Sequence, residues 1–296
     1  MVVEHHKDRF AGNLAVRKSA DRSAEMTTIL TVLTVLCYAV SWGFYLRLLY
    51  GARPVTGRVA TVLLALGITF HYLALLERSR WVHSVPYQDL HGAMSLFAWL
   101  LALTYLGLEL FHRQRSVGAF LLPFVLILLL AATLAHPAGP PRPPPARGSV
   151  FALHVTLSVL AYAAFALSFV LSFMFLAEER LLRSHKLGTI VWRFPALELL
   201  ERMSRSSVLV GLVAIVVGMC LGFVSIDRLT GRVWRYDPKY LVTLLVVFLY
   251  AAYLYLGRTT NWRGARASKL CIFNFSIVLL SVSVVNLFLS RWHRFF

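Results

Sequence analysis

The sequence predicts an all-α fold, a polytopic integral membrane bundle of about eight transmembrane helices. Three observations carry this. Hydrophobic residues make up 58% of the 296, only 15% are charged, and the mean hydropathy is +0.69, all far from soluble globular values. The apolar residues fall into repeated long runs rather than short alternating ones. Those runs are rich in Leu and Val and lack the period-two pattern of a membrane barrel. In hydrocarbon every backbone polar group must be satisfied within its own segment, so each run is expected as a helix.

The expected spans lie near residues 27–50, 57–76, 90–112, 117–135, 150–177, 206–226, 238–257 and 268–290. Each approaches the ~20 residues that cross a ~30 Å core. Before the first lies a polar stretch, residues 1–25, with no apolar h-region. It is expected as an N-terminal extension, untranslated or disordered, ahead of one membrane domain over 26–296; Met26 stands at the start of the first span. Between the fourth and fifth spans, HPAGPPRPPPARGS (136–149) is too proline-rich to be helical throughout. Between the fifth and sixth, residues 178–205 carry Arg180, Arg183, Lys186, Arg193, Arg202 and Arg205 and read as an interfacial amphipathic segment. Asp237 and Pro238 suit the N-cap and first helical position of the seventh span.

The formal charge is +17. In a soluble chain this would suggest a nucleic-acid partner, but here the cations sit in loops and no soluble basic domain exists to carry one. Over all loops Lys and Arg divide 15 against 15. Omitting Lys7, Arg9, Arg17, Lys18 and Arg22 makes it 15 against 10 and turns both termini outward. Cys37, Cys220 and Cys271 all lie inside spans without CxxC spacing, so neither a disulfide framework nor a zinc site is expected.

In that orientation several histidines collect at the outer surface: His71, His91, His136, His154 and His293. Imidazoles can ligate iron, aromatic faces can pack on a porphyrin, and arginine can pair with propionates. Each residue also has an ordinary reading, since His, Trp and Tyr are common at membrane interfaces. A transporter would want charges or broken helices near the midplane, and the spans offer almost none.

The segment Trp234, Arg235, Tyr236, Asp237, Pro238, Lys239 resembles the Trp-Asp-Pro-Lys box of the cytochrome c assembly proteins. These are the CcsA/ResC group of System II cytochrome c biogenesis, with HemX-type relatives. Other motifs agree in order: Pro86 to Trp99, then His154, Val155 and Tyr162, then Tyr250, Tyr253 and Arg258, then NWRGARA (261–267), and finally Asn286 followed seven residues on by His293. The resemblance implies a haem-handling protein of the bacterial inner membrane that presents haem b at the extracytoplasmic face. His154 and His293 would be the axial ligands; Trp234 and Tyr236 would pack on the ring, and Arg235, Arg232 or Arg147 would pair with propionates, beside Asp237. It further implies apocytochrome c and a ResB-type membrane partner, and a place in a haem lyase complex if the family activity is retained. The chain departs from the pattern where Tyr255 replaces a family histidine, Tyr236 replaces a tryptophan and an upstream WGxxW element is missing. These departures point toward HemX-like relatives, which leaves a non-catalytic scaffold or regulator as the alternative.

Overall fold

The computed structural model describes residues 2–51, 53–82, 85–87, 89–135, 148–184, 195–230 and 238–284. Among them are eight α-helices and no strand: α1 (Val2–Leu49), α2 (Pro54–Val82), α3 (Leu90–His112), α4 (Gly118–Leu134), α5 (Ser149–Arg183), α6 (Leu197–Thr230), α7 (Pro238–Leu256) and α8 (Ala265–Val284). Segments of α1, α2, α3, α5 and α6 are long and apolar enough to cross a membrane, while Gly118–Leu134 and Tyr240–Leu256 are shorter apolar helices. At ~1.5 Å per residue, the 17 residues of α4 span about 26 Å, just enough for a thin hydrocarbon layer.

The helix ends follow from local chemistry. Asp89 caps α3 with an extended backbone, accepting from the Gly92 amide at 3.2 Å. Proline opens both α2 and α7, where its missing N–H costs nothing. Gly264, at φ +64°, makes the left-handed step into α8. Of the stretch 178–205, expected as one interfacial segment, residues 178–183 are the last turns of α5 and 197–205 the first turns of α6, while 185–194 lie outside the described residues. Intrahelical pairs account for this: Arg183 bonds Glu179 at 2.9 Å and Arg202 bonds Glu198 at 2.5 Å, each four residues apart, so both helices continue past the apolar layer. The expected cap Asp237 lies outside the described residues; Pro238 is the first residue of α7, as its φ favours.

Two half-bundles form. In the first, α1 packs on α2 and α4, and α3 packs on α2 and α4; in the second, α5 packs on α6 and α8, with α7 against both α6 and α8. Helix α3 joins the halves through α5 and α6. Between the second-half helices, Phe165 of α5 stacks on Tyr250 of α7 with centroids 3.8 Å apart and planes 3° apart. Gly211 of α6 permits this, because a Cβ there would come within 2.6 Å of the Phe165 ring.

Polar groups inside the bundle are tied across helices, as an apolar surrounding demands. His71 of α2 is 1% exposed; its Nε2 lies 3.0 Å from Ser95 Oγ of α3 and its Nδ1 3.4 Å from the Tyr38 hydroxyl of α1. Ser168, Ser172, Ser204 and Tyr253 share hydroxyl bonds of 3.1–3.3 Å, and Cys271 Sγ joins Ser168 at 2.7 Å. We expect Ser95→Ala to lower stability by about 1–2 kcal/mol, because it strands a buried imidazole nitrogen. Reversible unfolding in mixed micelles would measure it; a change below about 0.3 kcal/mol would show that the histidine finds another partner.

The opposite end of the first half-bundle holds Glu109 of α3, 2% exposed. Its Oε2 accepts from the Tyr45 hydroxyl of α1 at 2.5 Å and its Oε1 from Thr61 Oγ1 of α2 at 2.5 Å. Arg115, from the turn before α4, lies 3.7 Å from Glu109 Oε1 and donates to Thr61 Oγ1 at 3.2 Å. One carboxylate on α3 thus gathers groups from two other helices and a turn.

Candidate functional site

The helices alternate in direction. The ends of α2, α4 and α6 and the starts of α3, α5, α7 therefore share one face of the bundle, as side-chain contacts confirm. His91, near the start of α3, places Nδ1 2.6 Å from the carbonyl of Ala132 at the end of α4. Tyr87, just before α3, meets Phe151 in the first turn of α5, with ring centroids 5.8 Å apart. Phe223 near the end of α6 stacks on Tyr240 at the start of α7, at 4.8 Å and 13°.

His154 sits on this face, one turn into α5. Its Nδ1 lies 2.7 Å from the carbonyl oxygen of Gly218 on α6. A carbonyl only accepts, so Nδ1 carries the proton and Nε2 of the neutral ring keeps its lone pair. Among the described residues Nε2 makes no hydrogen bond. This is the orientation in which histidine commonly meets a metal, with the far nitrogen fixed by a backbone carbonyl. Phe151, one turn earlier on the same helix, lies 6.2 Å from the imidazole with planes tilted by 41°. Tyr87, 8% exposed, backs that phenyl ring.

The remaining expected site residues are placed as follows. Trp234, Arg235, Tyr236, Asp237 and His293 lie outside the described residues, as do His136, Arg147 and Arg232. The described residues flanking the aromatic box, Phe223 and Tyr240, are at the His154 end of the bundle. Tyr255 is not at that end. It stands at the other end of α7, about 25 Å from Pro238 at ~1.5 Å per residue, and is 69% exposed. Its neighbours Tyr250 and Tyr253 are buried inside the bundle, at 0% and 3%. The structure therefore does not bring Tyr255 to His154; period-3.6 geometry turns it away from the core that Tyr250 and Tyr253 enter. His71, expected near the outer surface, is enclosed between α1 and α3 and bonded there.

Sequence reasoning missed Phe151, Tyr87 and the two α6 glycines. Signals for all four exist. Phe151 precedes His154 by three residues, which puts them on one helix face. Gly218 and Gly222 form a small-xxx-small pair, GMCLG, of the kind that lets membrane helices approach closely. Among the described residues no group of three or more His, Cys, Asp or Glu could hold a metal ion. The described groups at the seat are one imidazole and the aromatic rings of Phe151 and Tyr87.

A bundle of long apolar helices, one of which presents an oriented imidazole near its end, defines a polytopic membrane protein. Residues 87–293 match the family model of the cytochrome C assembly protein, and the chain belongs to that family. It is 24% identical over 275 residues to the cytochrome c biogenesis protein CcsA of Gloeobacter violaceus, covering 74% of this chain and 81% of the relative. It is 26% identical over 254 residues to CcsA of Prochlorococcus marinus subsp. pastoris, covering 77% and 79%. Against CcsA of Chlamydomonas reinhardtii the figures are 25% over 246 residues, 80% and 69%.

Proposed function

We propose that this protein holds haem as its substrate at one face of the bundle and presents it for attachment to apocytochrome c. The observation that carries this reading is the His154 seat: Nδ1 bonded to Gly218 O at 2.7 Å, which leaves Nε2 available to an iron. His293 is the second axial ligand in this reading, with Trp234 and Tyr236 packing on the ring and Arg235 pairing with a propionate beside Asp237. Phe151 and Tyr87 extend the aromatic wall on the α5 side. The protein's contribution is position: iron fixed by imidazoles, water kept from one face of the ring, and a vinyl edge held toward the incoming peptide. A cysteine thiol of that peptide adds across each vinyl group, forming one C–S bond and placing the thiol hydrogen on the neighbouring carbon, with no net oxidation.

The haem is of the b type in this reading, and a ResB-type membrane protein is the partner. The membrane domain is 26–296, preceded by the polar stretch 1–25. The His154 face is extracytoplasmic in a bacterial plasma membrane. The described residues at the opposite end include Arg47, Arg113, Arg180, Arg183, Arg258, Arg263, Arg266 and Lys269, the distribution expected of a cytoplasmic end. Family membership and the scarcity of charge within the spans disfavour a small-molecule transporter.

Two measurements test the reading. Protein purified from haem-replete cells is expected to show a Soret band that His293→Ala weakens. Cysteines placed at the ends of α6 and α8 for impermeant labelling are expected to react from outside the cell. A colourless preparation, or labelling only after lysis, would overturn the corresponding part.

A further inference from the structure

We propose that Gly218 and Gly222 of α6 are positioning residues that form a notch for the His154 imidazole and thereby decide that Nε2, not Nδ1, meets the iron. The inference rests on the haem-holding reading above and concerns how this chain fixes its ligand.

The geometry is specific. A Cβ built on Gly222 would lie 2.8 Å from Cε1, 2.9 Å from Nδ1 and 3.4 Å from Nε2 of His154. The first two distances are shorter than any real Cβ contact, so no side chain fits at 222 while the ring stays where it is. One turn earlier, the Gly218 carbonyl accepts a hydrogen bond from His154 Nδ1–H at 2.7 Å. A Cβ on Gly218 would meet Ser158 Oγ at 3.2 Å and the Ser158 amide nitrogen at 3.4 Å, so this glycine sets how closely α5 approaches. Ser158 is itself tied to α5, donating to the His154 carbonyl at 2.7 Å. On another side Phe151 closes against the ring. Among the described residues the imidazole is thus held by a backbone acceptor, a missing side chain and an aromatic wall.

The notch is selective among the α6 glycines. Gly211 lies two to three turns away and accommodates Phe165 instead, at 2.6 Å. Gly107 of α3 has nothing within 4 Å of its would-be Cβ, so alanine there is expected to be silent.

The test compares haem affinity and spectrum of the full chain in detergent. Gly222→Ala is expected to weaken haem binding about 10-fold, the effect typical of losing the group that orients a metal-binding histidine. It should also convert part of the low-spin spectrum to high-spin, while Gly107→Ala changes neither. A second arm avoids any question of folding. In His154→Gly, free imidazole is expected to enter the notch and restore the Soret band. In His154→Gly/Gly222→Ala the methyl group has no ring to clash with, yet it fills the notch, so restoration should need at least about 10-fold more imidazole. Equal rescue of the two variants, or an unchanged affinity and spectrum in Gly222→Ala, overturns the positioning role and leaves the haem-holding reading intact. Unchanged haem binding in His154→Ala overturns the reading itself, and the positioning role with it.

Discussion

His154→Ala is expected to cost this protein nearly all of its bound haem. Loss of an outer partner that merely orients a metal-binding imidazole lowers affinity by about 10–100-fold, so removing the imidazole itself should cost at least as much. Of the other described imidazoles towards this end, His71 is enclosed in the bundle with both ring nitrogens engaged, by Tyr38 and Ser95, and His91 is held against α4 through the Ala132 carbonyl, not against α6 as His154 is. The haem-to-protein ratio after purification and the Soret maximum measure the effect. Residual haem should be five-coordinate, held from one side. The fold should tolerate the change, since His154 stands near the start of α5 and the Gly218 carbonyl it leaves lies inside α6, where the helix ladder supplies a donor. A melting temperature equal to that of the unaltered protein, together with lost colour, would separate a binding defect from a folding one. Full colour in the variant would sink the assignment.

Glu109→Ala should have the largest effect on stability, about 3 kcal/mol. The carboxylate is 2% exposed and collects Tyr45, Thr61 and Arg115. Removing it strands the buried Tyr45 hydroxyl, costs Thr61 one acceptor while its bond to the Gly57 carbonyl remains, and deprives the partly exposed Arg115 of its counter-charge. The comparison is Glu77→Ala, which loses only an exposed pair with Arg80 and should change stability by less than about 1 kcal/mol. Unfolding of both variants in mixed micelles decides between the two magnitudes. Similar small losses would mean that Glu109 is solvated in the membrane. A double-mutant cycle with Tyr45→Phe should show coupling of about 1 kcal/mol, because the hydroxyl donates to that carboxylate.

How much of this was legible in the sequence differs from element to element. The helices were legible because lipid permits few alternatives: eight apolar runs became eight helices, with α3, α4 and α7 starting and stopping within a residue or two of the expected positions. The ends of α5 and α6 were not, because charged residues at i and i+4 support helix beyond the hydrocarbon as readily as they mark a loop. His154 could be picked out by its place in an ordered set of motifs. Its setting could not, since a carbonyl 64 positions further along the chain fixes the imidazole. Tyr255 shows the reverse. Its position in the motif order linked it to the haem-binding set, while its place on α7 puts it at the other end of the bundle, facing away from the core.

Hydrophobicity and motif order alone determined that the chain spans a membrane as helices and belongs with proteins that assemble cytochrome c, because both properties are written locally along the polypeptide. Only the tertiary structure decided which polar groups meet. The notch at Gly218 and Gly222, the carboxylate shared by α1, α2 and α3, and the hydroxyl cluster around Ser204 each join residues distant in sequence. Such partners are chosen by how helices cross and how closely their backbones approach, and no periodicity within a single helix encodes that.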